Sequence, residues 1–193
     1  MNDVTEKLRQ IKEEIISFEG SSLATERRKN GTFPVIGEGA HNARIMFVGE
    51  APGKNESLTG RPFCGKAGKI LDDLLSSVGI ERGAVYITNI VKDRPPANRD
   101  PLPDEIEAYA PFLVRQIELI RPEIIVTLGK FSSHYILAKF GLKEIIGPIS
   151  TLRGRIFEVD GMKIFPIFHP ASAIYDGSKM QQLLDDFKKL KNI

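Results

Sequence analysis

At 193 residues, 41% of them hydrophobic and 27% charged, the chain has the size and make-up of one globular domain with its own core, expected to span residues 1–193. A net charge of +2 allows a local basic face for nucleic acid without demanding one, and the single cysteine, Cys64, excludes an intramolecular disulfide and a cysteine-built metal site. No apolar run reaches the ~18 residues of a membrane span, and the charged start "MNDVTEKLRQIKEEI" lacks a signal-peptide core, so the expectation is a soluble cytoplasmic protein.

Val4, Leu8, Ile11, Ile15 and Ile16 recur at helical spacing and predict an N-terminal helix within residues 1–17. Residues 18–43 have no regular period and several turn formers, and read as an irregular segment. From residue 44 the pattern is that of an α/β core. "ARIMFVGE" is a short buried strand, and "KAGKILDDLLSSVGI" a helix with Ile70, Leu71, Leu74, Leu75 and Val78 on one side and Gly79 at its C-terminal cap. "AVYITNIV" is a second strand. It runs into a loop where Pro95, Pro96, Pro101 and Pro103 exclude regular structure, and Asp104 is placed to cap the helix "EIEAYAPFLVRQIELI". "EIIVTLG" is a third strand with the helix "KFSSHYILAKF" behind it. "GRIFEVDGMKIFPIFHP" is a hairpin around Asp160-Gly161, or one strand leading into another. The tail from Ser178 is helical, with Met180, Leu183, Leu184, Phe187 and Leu190 at core spacing.

Strand and helix alternating at this pitch argue for a parallel sheet covered on both faces, whose ligands sit beyond the carboxyl ends of the strands. The loops Glu50–Gly65, Asn89–Arg99, Gly129–Ser132 and His169–Ile174 should therefore converge. The glycine-rich first loop is not a phosphate cradle. In "GRPFCGKA" Ala67 stands where a P-loop needs a magnesium-binding hydroxyl, and no G-x-G-x-x-G follows the first strand. What remains is a set of functional groups at four strand ends: Glu50, Glu56 and Phe63, then Asn89, then His169. Singly, each has an ordinary reading: a structural histidine, a loop-capping asparagine, a core phenylalanine. Their meeting at one place is harder to account for by packing alone.

"GEAPGKNESLTGRPFCGKAGKIL", "YITNIVKDRPPANRDPLP" and "FHPASAI" resemble, in order and spacing, the three signatures of family 4 uracil-DNA glycosylases. The likeness runs from about Pro34 to the C-terminus. It implies a three-layer α/β/α sandwich on a central four-stranded parallel sheet, and hydrolysis of the N-glycosidic bond of deoxyuridine in DNA after the base is flipped out of the stack. On the matching positions, Phe63 stacks on uracil. The Asn89 amide accepts from N3–H and donates to O4, a pattern cytosine inverts at a cost of about 1–3 kcal/mol per unpaired group. His169 donates to O2 as charge develops there. Ala51 stands where better-known relatives carry an Asp, which leaves Glu56 as the catalytic carboxylate and Glu50 shaping the pocket. Arg94, Pro95, Pro96, Arg99 and Lys130 are expected at the DNA backbone, and Ile174 as the wedge that fills the emptied stack. A monomer acting on uracil-containing DNA is implied. The neighbouring possibilities are a glycosylase for hypoxanthine or xanthine, and a silent DNA-binding relative.

The chain departs from that family where it matters for cofactors. The family's four cluster-binding cysteines correspond to Phe18, Ser21, Asp93 and Tyr109, the clearest being "KDRPP" for "KCRPP". A [4Fe–4S] cluster needs four thiolates, so no cofactor is expected, with Phe18 and Tyr109 as apolar replacements and Cys64 as a small buried hydrophobe. Ser57 replaces a usual acidic residue and Tyr175 a common Arg, and Gly53 offers no bulk beside the uracil C5 edge.

Overall fold

The computed structural model describes residues 3–193; the first two residues of the expected N-terminal segment lie outside it. Helix α1 (Asp3–Ser17) buries Leu8, Ile11 and Ile15 along one stripe. Within the segment expected to be irregular the chain forms a second helix, α2 (Ser22–Asn30), and a two-residue strand, β1 (Glu38–Gly39). The helix has no amphipathic period to betray it. Its ends make it: the Ser21 side chain accepts from Leu23 N–H, and Gly31 closes it in the left-handed conformation, donating to the Arg27 and Arg28 carbonyls.

The core then follows as β2 (Ile45–Gly49), α3 (Lys54–Thr59), α4 (Lys66–Ser77), β3 (Tyr86–Asn89), α5 (Pro103–Ile120), β4 (Ile124–Leu128) and α6 (Lys130–Lys139). It closes with α7 (Ile149–Leu152), β5 (Phe157–Val159), β6 (Met162–Ile167), α8 (Ser172–Tyr175) and α9 (Gly177–Lys191). The strand order is β1-β3-β2-β4-β6-β5. The expected four parallel strands are its centre, β3-β2-β4-β6, and an antiparallel strand is added at each edge. The sheet thus has six strands rather than four. β1 is too short to read in sequence, and β5 joins through the hairpin turn at Asp160-Gly161, where both residues have positive φ.

Side-chain alternation divides the core. Met46, Val48, Ile125 and Ile164 point to a layer made by α1, α5 and α6. Ile45, Phe47, Val126, Phe165 and Ile167 point to α4 and α9 on the other face. Each central strand is buried throughout or nearly so, as a parallel sheet covered on both sides requires. At α5 the N-cap is Leu102, not Asp104. Glu105 reaches back to accept from Leu102 N–H, and Pro103 supplies the first turn where no N–H is needed.

From β2 the chain steps to β3 on one side and then crosses to β4 on the other. This reversal opens a crevice at the carboxyl ends of the strands.

Candidate active site

The expected convergence occurs. β2 ends at Gly49, β3 at Asn89, β4 at Leu128 before Gly129, and β6 delivers His169 two residues past its end. A methyl group on Gly49 would stand 2.3 Å from Asn89 Oδ1 and 2.9 Å from the Phe63 ring, so glycine alone lets these two side chains meet. A methyl on Gly129 would approach the His169 Cβ to 3.1 Å, and the Phe63 and His169 rings lie 5.7 Å apart.

Phe63 is buried and holds φ at +47°, a conformation that a bulky residue adopts only when its surroundings impose it. Two contacts impose it here. The first turn of α4 presses Gly68 against the Phe63 carbonyl, where a Cβ would fall at 1.8 Å. On the other side, Glu56 Oε1 accepts from the backbone N–H groups of Cys64 at 3.0 Å and Gly65 at 2.9 Å. Cys64 itself is exposed beside Thr59, so the reading of it as a buried hydrophobe is corrected: the tight turn aims Phe63 inward and its neighbour outward.

Asn89 is 1% exposed, and its Oδ1 is a buried polar atom without a hydrogen-bond partner among the described residues. Leaving such an acceptor unpaired costs about 1–3 kcal/mol, and native structures rarely tolerate it without a purpose. His169 is partly buried. Desolvation pushes its pKa down to about 4, opposed by the nearby Glu56 charge, so the ring is neutral throughout the neutral pH range. Ala171 N–H donates to its Nδ1 at 3.1 Å. The proton of the neutral ring therefore sits on Nε2, which is left as a donor.

Burial, and behind it the charge of Asp100, raises Glu50 from its ordinary 4.5 to about 7. The folded pKa lies above the unfolded one. The resulting stabilisation is whole below the unfolded value and is lost as pH rises through the folded value. Glu50→Gln is therefore expected to melt with the wild type at about pH 4 and a few degrees above it at about pH 8, measured by thermal denaturation. Ala51 next to it packs against the core on the α1/α5/α6 face.

The proline-rich loop is folded more tightly than its sequence suggests. Pro95 is buried, Pro96–Asn98 form a single 3-10 turn, and Ala97 and Asn98 both have positive φ. Arg94 donates to Asn98 Oδ1 at 2.7 Å. Arg99 is committed to Glu105 by two bonds of 2.8 and 2.6 Å, and Ser22 donates to the same carboxylate. Arg99 thus straps the loop to α5 and α2. Lys130 is exposed at the start of α6. Ile174 and Tyr175 project from α8 with 40% and 89% of their surface exposed. Ser57 is buried, its hydroxyl donating to the Lys54 carbonyl.

Phe18, Ser21, Asp93 and Tyr109 do come together, but as a different device from a metal centre. Arg27 and Asp93 form a buried pair at 3.1 Å, and the Tyr109 hydroxyl donates to the same carboxylate. Phe18 packs edge-on against Tyr109 and Phe112, each at 5.2 Å. A carboxylate, a phenol, a phenyl ring and a helix-capping serine offer no thiolate, so these positions do not fit an iron–sulfur cluster. Arg27 gave no signal among the charged residues of "TERRKN"; only the fold singles it out.

A family model described as the uracil DNA glycosylase superfamily matches residues 36–191. The type-4 uracil-DNA glycosylase of Sulfurisphaera tokodaii is 46% identical over 193 residues, covering 97% of this chain and 85% of the relative. That of Archaeoglobus fulgidus is 43% identical, covering 96% and 92%, and that of Saccharolobus solfataricus 49% identical, covering 85% and 76%. On a match of this length and identity, the chain belongs to the uracil-DNA glycosylase superfamily.

Proposed function

We propose that this protein excises uracil from DNA by hydrolysing the N-glycosidic bond of deoxyuridine, leaving an abasic site for base excision repair. The observation that carries the reading is the unpartnered Oδ1 of Asn89, buried between Gly49 and Phe63. It is an acceptor waiting for one donor, and uracil N3–H is that donor. Cytosine has no proton at N3 and would leave the acceptor unpaired.

The rest of the site supports the same chemistry. Phe63 gives the flipped base a face to stack on. As the C1′–N1 bond breaks, its electron pair leaves with uracil, and His169 Nε2–H meets the charge gathering on O2. A neutral imidazole suits this task, because it stabilises the anion by a hydrogen bond already in place. Glu56 holds the Phe63 turn with Oε1, while Oε2 makes no hydrogen bond among the described residues. We assign that oxygen to the oxocarbenium-like sugar and the water that attacks it. Glu50 and Ala51 form the wall of the base pocket. Arg94, Pro96 and Lys130 lie against the DNA backbone, with Arg99 holding their loop in shape; Pro95, expected beside them, is buried beneath that loop and does not reach the DNA. Ile174 enters the stack in place of the flipped base, and the protein works as a cytoplasmic monomer.

The test is single-turnover incubation with labelled oligonucleotides carrying one uracil, hypoxanthine or xanthine, scored as alkali-labile sites. Release of uracil, with cytosine and thymine untouched, is the expected result. Release of hypoxanthine or xanthine alone would move the protein to another deaminated base, and DNA binding without release of any base would leave only a binding module. Because His169 titrates near pH 4, the uracil rate should show no inflection from this group between about pH 6 and 9.

A further inference from the structure

Three residues past Asn89, where the apolar strand gives way to the charged run Lys92-Asp93-Arg94, the sequence places Lys92. It is fully buried. Its Nζ donates to three oxygens: Thr88 Oγ1 at 2.7 Å, the Asn89 backbone carbonyl at 2.7 Å and Gln116 Oε1 at 2.8 Å. No carboxylate among the described residues shares this site.

All three partners are fixed as acceptors. The Thr88 hydroxyl spends its proton on the Ile36 carbonyl at 2.8 Å. Gln116 Nε2 donates to the same carbonyl at 3.0 Å and to the Tyr86 hydroxyl at 3.2 Å, which turns Oε1 toward the lysine. The third is a peptide oxygen. Three acceptors and no donor match an ammonium with its three protons, whereas a neutral amine would point its lone pair at an oxygen. Burial pulls the lysine pKa well down, so holding the charge here is unfavourable for the free protein. A Met of similar length would fill the space but leave these three oxygens without their donor.

We propose that Lys92 is a positioning residue for base release: its ammonium clamps the Asn89 peptide and keeps a fixed positive charge beneath the base pocket, where the departing uracil becomes an anion. This rests on the glycosylase reading above. The ammonium does not touch the base and transfers no proton. The glycosidic electron pair still goes to N1 and the hydroxide to C1′. The field of Lys92 lowers the energy of the anion relative to the neutral base, in a site that water cannot relax.

The experiment compares two leaving groups in the wild type and Lys92→Met, using single-turnover release of uracil and of 5-fluorouracil from the same oligonucleotide. The fluorinated base forms its anion more readily and needs less help. The expected result is a loss of about a hundredfold on uracil, the scale of one preorganised electrostatic partner, and about tenfold or less on 5-fluorouracil, with DNA affinity unchanged. Equal losses on both bases would make Lys92 a structural strut and overturn the proposal. A second measurement needs no variant: the side-chain 15N resonance of Lys92 in the wild type at neutral pH distinguishes ammonium from amine. An amine overturns the proposal whatever the variant does. Failure of the wild type to release uracil overturns the glycosylase reading instead, which keeps the two apart.

Discussion

Asn89→Ala is expected to slow uracil release by about a thousandfold, because a site built around one buried hydrogen bond loses both orientation and discrimination when that bond is removed. The same change should leave the melting temperature unchanged or raise it. Asn89 Oδ1 has no partner among the described residues, so truncation removes a desolvated group that the free protein holds at a cost of about 1–3 kcal/mol. Activity and stability moving apart is what separates a recognition group from a structural one. Asn89→Asp tests the polarity of the contact. A carboxylate faces uracil O4 with an acceptor in place of a donor, so uracil release should fall at least as far as in the alanine variant. His169→Ala is expected to lose about a hundredfold to a thousandfold, the effect of deleting one oxyanion-type donor. His169→Gln, which keeps a donor but not its fixed direction, should recover part of that loss. All four rates come from the same single-turnover release assay, and melting curves on the same samples supply the stability control.

The parallel core was legible because each of its strands is an apolar run between turn formers, and the helices between them carry a clear 3.6-residue period. The convergence of Phe63, Asn89 and His169 was legible because all three follow strand ends, which the alternation of elements brings together. What escaped has three physical causes. α2 is made by its caps and by burial of Arg27, and its run of charged residues carries no period. β1 pairs over two residues only, and pairing is a property of the partner strand as much as of its own sequence. The role of Arg99 could not be read at all. An exposed arginine in a DNA-facing loop and one strapped to a buried Glu105 look the same until the side chains are in place. Lys92 left no signal either: it opens the charged run Lys92-Asp93-Arg94, and only the fold shows that it is buried against the Asn89 carbonyl three residues before it.

The second large effect is on stability. Arg27→Met is expected to destabilise the protein by about 3–5 kcal/mol, because it leaves Asp93 as a buried charge with no cation beside it. At about 2–4 °C per kcal/mol for a chain of this length, the melting temperature should fall by about 10 °C. Tyr109 still donates to Asp93 in that variant, but one hydroxyl cannot balance a desolvated carboxylate. Burial already raises the Asp93 pKa against the pull of Tyr109 and Arg27. Without Arg27 the group should take up a proton, and the variant should lose least stability at acid pH. Arg27→Met combined with Asp93→Leu removes both charges and should recover more than half of the loss. It should not recover all of it. Arg27 also donates to the carbonyls of Ile15, Ile16 and Phe18 at 3.0, 3.0 and 3.1 Å, closing the C-terminal end of α1, and no methionine can replace those donors. The residual loss in the double variant therefore reports the lost helix cap together with the Tyr109 hydroxyl left without its acceptor, and the difference between single and double reports the cost of the orphaned Asp93 charge. Together they give the strength of what holds the N-terminal segment to the core in a chain whose residues at these positions offer no thiolate to an iron–sulfur cluster.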